Sequence, residues 1–487
     1  MLLDTWNALQ AGRLPEIGPL ASVGTFHHAA LPYDLWLPAL WLGQGDPLFV
    51  VAETALLGTL VVPMVWWVGR SIGGPVAGLV AAYLAAVSAA LIGYSVFVWT
   101  PTPLEPGGAL AVLGAWQAWR SRDPRWWLVA AAGLDVVVQS HIAGPFLGIP
   151  LVALYVLDVR RAAGERRRHL LWGAISIGFV AVTYAPYFLY ELGHDFTNVR
   201  GMIGYFTQPS DSSGLAAPLA IPLVFVRILA WPLTAWPQDH LAEGFVPALL
   251  AALGIAASLI WQWRKLHRAR LAAAPASELD VERDRREGIA FVGLSLTAVI
   301  VAGGAALKDM SLVQRLPTEQ YHVWADPLAL IAAGLALGVM WRLPGPSGAP
   351  RLPRATLVAI LAALTAWNAF AWPALVSEDG GYPQAQSAAR TIERESASRP
   401  FAIVSLFPPE NPNAFVYPLT VDGYRTSSVD EASVLVLYCD SSFVDGCDGQ
   451  AERSWLAQNA SSRQPEQIDR FEAGPGRILT LYRLTRP

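Results

Sequence analysis

The feature that most constrains this chain is a succession of long uncharged runs. Apolar stretches near 48–68, 74–95, 104–119, 125–140, 142–158, 169–190, 244–263, 288–307, 325–341 and 355–377 can each cross, or nearly cross, about 30 Å of hydrocarbon. These ten candidates point to an α-helical polytopic membrane protein of about ten spans. Composition excludes the soluble alternative, since 15% of the 487 residues are charged against about one quarter in a soluble chain. A further apolar stretch at 215–236 is broken by Pro218, Pro222 and Pro232, which suits an interfacial or re-entrant element better than a straight span. The net charge of −4 leaves no dense cationic surface to displace counterions, so no nucleic-acid partner is expected.

Basic residues in the short connections set the orientation. With residues 1–47 outside, the inside connections carry 19 Lys or Arg and the outside segments up to residue 377 carry 5. Residues 1–47 then form a first extracytoplasmic loop of a 1–377 membrane domain. Residues 378–487 form an extracytoplasmic domain, polar enough to fold in water. Strand-like runs at Phe401–Phe407, Ser433–Tyr438 and Ile478–Leu484, with helix-like Ala388–Ser398 and Glu452–Ala457 between them, predict a small α/β fold. Cys439 and Cys447 fall within it and are expected to pair as a disulfide if it faces an oxidising compartment. The expected location is a bacterial plasma membrane.

Three outside stretches hold groups able to do chemistry. They are Asp4 to Pro47, with Glu16, His27, His28, Tyr33, Asp34 and Asp46; Tyr94 to Glu105, with Trp99; and Tyr184 to Tyr205, with Glu191, His194, Asp195, Asn198 and Arg200. Carboxylates, imidazoles and aromatic rings at a membrane surface suit sugar chemistry on a lipid carrier. That chemistry needs a base for an acceptor hydroxyl, a cation for phosphate, and rings for sugar faces. The bland reading is that the rings form an interface belt and the acids are solvated. Glu53 and Asp135 lie inside apolar runs, and Gln139 and His141 end the run that contains Asp135. Ionisable groups at that depth are functional candidates, with a buried hydrogen bond to a neighbouring helix as the alternative. No phosphate-binding Gly loop, HExxH helix or GxSxG elbow occurs.

Gly12-Arg13-Leu14-Pro15 through Gly18-Pro19, then Ser22-Val23-Gly24-Thr25-Phe26-His27-His28, resembles the bacterial polytopic glycosyltransferases of the GT-C class. More narrowly it resembles the family 39, dolichyl-phosphate-mannose-protein mannosyltransferase-like group. The resemblance continues at Gly45-Asp46-Pro47, Tyr94-Ser95 with Trp99-Thr100-Pro101, Gln139-Ser140-His141, and Pro186 to Glu191 with Phe196. It covers roughly the first 210 residues. It implies a polyprenyl-phosphate sugar donor, transfer on the outer face to a glycan, lipid or protein acceptor, and an acidic base in the first outside loop. In some members a divalent metal such as Mg or Mn takes part. Family chains begin with a complete transmembrane helix and an acidic motif before the Gly-Arg-Leu-Pro stretch, whereas Met1 here falls inside that loop. The chain is therefore read as a start-site truncation, an inactive member, or one that uses Asp4 or Asp34.

The expected catalytic residues are Asp4 and Asp34. The expected substrate-binding residues are His27, His28, Tyr94, Trp99, Gln139, His141 and Glu191, with His28 and His141 near one outer mouth. The expected activity is hexosyl or pentosyl transfer in cell-envelope glycan or protein glycosylation. Two alternatives share the apolar body: a transporter or flippase of a lipid-linked glycan, which would favour internal repeats that are not seen, and a noncatalytic membrane scaffold.

Overall fold

The computed structural model describes residues 1–21, 26–207, 217–235, 241–269, 276–306, 321–343, 351–373, 380–397, 399–407, 411–441 and 447–485. Ser22 to Thr25 of the family-like stretch, and Arg270, Lys308 and Arg315 of the charge count, lie outside the described residues. The helices run in order as α1 (Leu2–Gln10), α2 (Leu31–Leu42), α3 (Pro47–Gly73), α4 (Pro75–Val87), α5 (Ala89–Val96), α6 (Leu104–Ser121), α7 (Trp126–Ser140), α8 (Pro145–Arg161) and α9 (Arg166–Thr183). Then come α10 (Ala185–Gly193), α11 (Thr197–Thr207), α12 (Ala217–Thr234), α13 (Leu241–Ala269), α14 (Ala276–Ala306), α15 (Asp326–Gly338) and α16 (Arg351–Ala369). The remainder alternates α17 (Gly381–Ser396), β1 (Phe401–Ser405), α18 (Asn413–Val421), β2 (Val434–Asp440), α19 (Gln450–Asn459), β3 (Gln464–Glu472) and β4 (Arg477–Thr485).

Two compact units result. One comprises Leu14–Ala39 and Leu48–Pro373; the other comprises Met1–Arg13, Leu40–Pro47 and Ala374–Pro487.

The first unit is a helical bundle. Among the described residues five helices are long and apolar enough to cross a membrane, and the pairs α4–α5 and α9–α10, each bent by 54°, bring the number to seven. This is fewer than the ten apolar runs. α7 has 15 residues and rises only about 22 Å at 1.5 Å per residue, while α6 begins beside Glu105 and ends beside Arg120. Such helices lean on their neighbours, and Trp36, Trp116 and Trp324 are fully buried among them.

The proline-rich stretch, expected to be interfacial or re-entrant rather than a straight span, forms helix α12, whose apolar part (Ala220–Thr234) is too short to be among the helices able to cross a membrane. α12 packs on α13, α14 and α15 with Ile228 and Ala230 wholly buried. Pro222 and Pro232 lie inside it, each removing one i→i−4 hydrogen bond, and packing against three neighbouring helices holds the segment helical.

In the second unit the sheet order is β1-β2-β4-β3, with β1 parallel to β2 and the other pairs antiparallel. Every residue of β2 is buried, because both faces of this central strand are covered. Val434, Val436 and Tyr438 pack with α17 and α18 on one face, and Leu435 and Leu437 pack with Leu456 of α19 on the other. Cys439 and Cys447 form the expected disulfide. Strand β3 and helix α18 were not foreseen. Gln464–Glu472 is mostly exposed and polar, as befits an edge strand, and shows no apolar alternation to read. Tyr417 of α18 donates through its hydroxyl to the Gly45 carbonyl at 2.6 Å, tying residues 40–47 to this unit.

Candidate active site

Close helix packing brings the polar groups of the helical unit together. α6 and α7 run antiparallel with their backbones in contact: a Cβ on Gly133 would lie 2.3 Å from the Ala111 nitrogen. This sets the end of α7, with Gln139, Ser140 and His141, beside the start of α6, with Glu105. A Cβ on Gly108 would lie 2.2 Å from the Trp324 carbonyl oxygen, so the turn before α15 also reaches that end and carries Tyr321, His322 and Asp326 with it.

The loop bearing His27 and His28 is closed on itself and on α11. Gly18 N–H donates to the His28 carbonyl at 2.8 Å, and His28 N–H to the Pro19 carbonyl at 2.9 Å. His27 N–H donates to Asn198 Oδ1 at 2.8 Å, and its Nδ1 lies 2.9 Å from the Gly18 carbonyl. Asn198 in turn donates through Nδ2 to Glu191 Oε1 at 2.7 Å, and Val199 N–H donates to Glu191 Oε2 at 3.1 Å. Glu191 is wholly buried. It braces the loop from behind, and His27 is likewise spent on loop geometry.

His28 is free to face the helices. Its ring stacks near His141 with centroids 6.3 Å apart, and His141 meets Tyr321 edge-on at 4.7 Å. The expected proximity of His28 and His141 is thus observed. Burial, and next the neighbouring His27, lower the pKa of His28 to about 4. Burial, and next His28, lower that of His141 to about 3. Both imidazoles are therefore neutral at ordinary pH. The Ala143 N–H donates to His141 Nδ1 at 3.2 Å, which leaves Nε2 to carry the ring proton.

Behind this pair lies a buried polar cluster. Arg227 of α12 pairs with Asp326 at 3.4 Å, the two being 7% and 0% exposed. Glu105 is buried within electrostatic reach of both, and its Oε1 has no hydrogen-bond partner. His322 is buried with neither ring nitrogen hydrogen-bonded. Burial, Arg227 and His141 hold its pKa well below the usual range.

The other expected residues are distributed as follows. Asp34 stands in the first turn of α2, half-buried, with Oδ1 lacking a hydrogen-bond partner; burial raises its pKa to about 6. Tyr94 packs against the core. Trp99 is pinned by its N–H to Thr102 Oγ1 at 3.0 Å and meets Phe97 edge-on. Gln139 donates to Asp135 Oδ1 at 3.0 Å, and Thr183 of α9 donates to Asp135 Oδ2 at 2.8 Å. Asp135 therefore makes the buried interhelical hydrogen bond that was its alternative reading. Glu53 is half-buried in α3. Asp4 belongs to the other unit, 3.4 Å from the Met1 amino group with its side chain 54% exposed. Among the described residues no three His, Cys, Asp or Glu lie together as a metal set.

Arg227, Tyr321, His322 and Asp326 escaped the sequence reading, and Glu105 entered it only as the end of a stretch. The available signal was an ionisable residue inside or at the lip of an apolar run. Arg227 is hidden by the prolines around it, which in the sequence mark an irregular segment.

The bundle, with its polar cluster at one end and a small α/β unit after it, has the fold of the polytopic GT-C membrane proteins. ArnT from Cupriavidus metallidurans in the apo state matches over 99% of this chain and 92% of its own, at TM-score 0.55 and 13% identity. The same protein bound to undecaprenyl phosphate matches with the same coverage at TM-score 0.51 and 14% identity. No protein-family model matches the sequence, and no curated protein sequence is detectably similar to it.

Proposed function

We propose that the chain is an integral membrane glycosyltransferase that moves a sugar from a polyprenyl-phosphate donor to an acceptor hydroxyl on the extracytoplasmic side. The observation that carries this reading is the convergence of His28, His141, His322, Arg227, Asp326 and Glu105 at one end of a GT-C bundle. Glu105 Oε1 and both ring nitrogens of His322 are buried without hydrogen-bond partners, and ionisable groups at that depth are functional candidates by default. A neighbour of the same fold holds undecaprenyl phosphate, which supports a donor of that class.

In this mechanism Asp34 takes the proton of the acceptor hydroxyl. The acceptor oxygen bonds to the anomeric carbon as the sugar–phosphate bond breaks, and polyprenyl phosphate leaves. Asp34 is preferred to Asp4 because its pKa of about 6 suits a base working near neutral pH, whereas Asp4 is largely exposed. Arg227, held by Asp326, supplies positive charge to the cluster, and the neutral imidazoles of His28 and His141 orient polar groups of the donor. Trp99 and Tyr94 offer ring faces to sugar. The sidedness rests on the basic connections, which gather at the opposite end of the bundle, and on the disulfide in the second unit.

The test is transfer of labelled sugar from polyprenyl-phosphate donors by the purified chain in liposomes. Transfer that Asp34→Asn abolishes supports the reading, and no transfer from any such donor, with binding of none, defeats it. For sidedness, a membrane-impermeant thiol reagent applied to intact cells after mild reduction should label Cys439 and Cys447. Labelling only after lysis reverses the orientation.

A further inference from the structure

The end of the helical unit away from the histidines holds a cavity of about 480 Å³ lined by Trp66, Trp67, Arg70, Ser71 and Arg120. The proposed transfer makes no use of it. Arg70 is exposed in the last turn of α3, with its guanidinium carbon 5.0 Å from the centre of the Trp66 ring. No ion pair to Arg70 occurs among the described residues, although Arg120, Arg161 and Arg168 at the same end each have a carboxylate. Arg342 adds a further cation there, donating to the Gly73 carbonyl at 3.1 Å.

A lone arginine at a helix C-terminus is ordinarily explained by the helix dipole and by snorkelling of its stem. Neither accounts for a cavity whose lining combines two tryptophans with a second arginine. The surface beside the cavity suggests the occupant. Leu56, Leu60 and Trp67 are 61%, 46% and 48% exposed, and their spacing of four and then seven residues puts them on one stripe of α3. A phosphate seated between the arginines would thus have an apolar track running from it along a membrane-crossing helix.

We propose that this cavity binds the headgroup of an anionic phospholipid, with its phosphate against Arg70 and Arg120, its glycerol against Trp66 and Trp67, and an acyl chain along the α3 stripe. Basic pockets between spans recognise acidic headgroups in this way.

The experiment is native mass spectrometry of the full chain titrated with dioleoylphosphatidylglycerol or dioleoylphosphatidylcholine, with thermal melting to check that each variant is folded. Phosphatidylglycerol should bind first. Arg70→Ala should weaken it about fivefold, and adding Arg120→Ala about fivefold again, from the usual worth of one basic residue near an acidic headgroup. Arg70→Lys should keep most of the affinity, and Arg70→Gln serves if the alanine variant does not fold. Arg354, stacked on Trp341 at 4.8 Å at the same end but outside the cavity, is the control, and Arg354→Ala should change nothing. Equal binding of the two lipids, or an equal effect of Arg354→Ala, overturns the proposal. Displacement of the lipid by millimolar inorganic phosphate also overturns it, by assigning the cavity to free phosphate.

Discussion

The two ends of the helical unit treat buried carboxylates differently. At the basic end Asp158, 1% exposed, receives the Trp127 indole N–H at 3.0 Å and faces both Arg161 and His169 at 3.5 Å. Glu287 receives the Trp119 indole N–H and Arg283 at 2.9 Å each, with Arg161 at 3.5 Å. Each acid is surrounded by donors from several helices, which is what a structural clamp requires. At the histidine end Glu191 is clamped in the same way by Asn198 and Val199, but Glu105 leaves a carboxylate oxygen without a partner, as does Asp34 of α2, and Glu105 and Asp326 share Arg227. An acid left under-bonded costs stability, and a protein keeps that cost where a ligand completes the bonding. Under the proposed function, the comparison separates groups that hold the fold from groups that a substrate would engage.

Four substitutions sharpen or break this contrast. Asp34→Asn should lower turnover by about 10²–10⁴-fold with little change in melting temperature. In the parent, kcat/KM should climb as pH rises through about 6, because a base acts only when ionised and burial lifts this one to that value. His28 and His141, neutral above about 4 and about 3, add no limb between pH 5 and 8. A rate that is flat across that range would remove Asp34 from the role.

Arg227→Met comes next. It strands Asp326 and Glu105 in a buried site, so a loss of about 3–5 kcal/mol of stability is expected, together with loss of donor binding. Denaturation in detergent reads the first and binding of a polyprenyl phosphate the second. A fully stable variant with parental binding would show that the cluster is not ionic.

At the basic end Asp158→Asn should cost about 1.5–3 kcal/mol, the worth of hydrogen bonds to a charged group, while turnover stays parental once the protein is folded. Should its turnover fall as far as that of Asp34→Asn, the division between the two ends fails. The smallest effect is expected for Arg168→Ala, whose pair with Asp123 is 44% and 36% exposed. Exposed pairs are worth about 0–1 kcal/mol, and a larger shift in melting would mean that the pair belongs to the clamp.

Part of the proposed site is legible in the residues alone. His28 and His141 stood at the ends of apolar runs, and Asp34 followed the histidine pair directly. Glu191 and Gln139 were legible as polar groups but not as to role. Only the hydrogen bonds to Asn198 and Asp135 show that each is turned toward its own scaffold.

What the amino-acid sequence determined by itself was the membrane character, the asymmetric placement of basic connections, the α/β alternation of the tail and the stretches able to carry chemistry. All of these follow from local hydropathy, charge and period, which a chain expresses without knowing its neighbours. The tertiary structure decided which of those stretches meet. Arg227, His322 and Asp326 are separated by up to 99 residues along the chain, and each looked ordinary in its own segment. They become a site because glycines at Gly108 and Gly133 allow backbones to touch, and burial then changes what each charge costs. Contact and desolvation are properties of packed helices, so no window of sequence contains them.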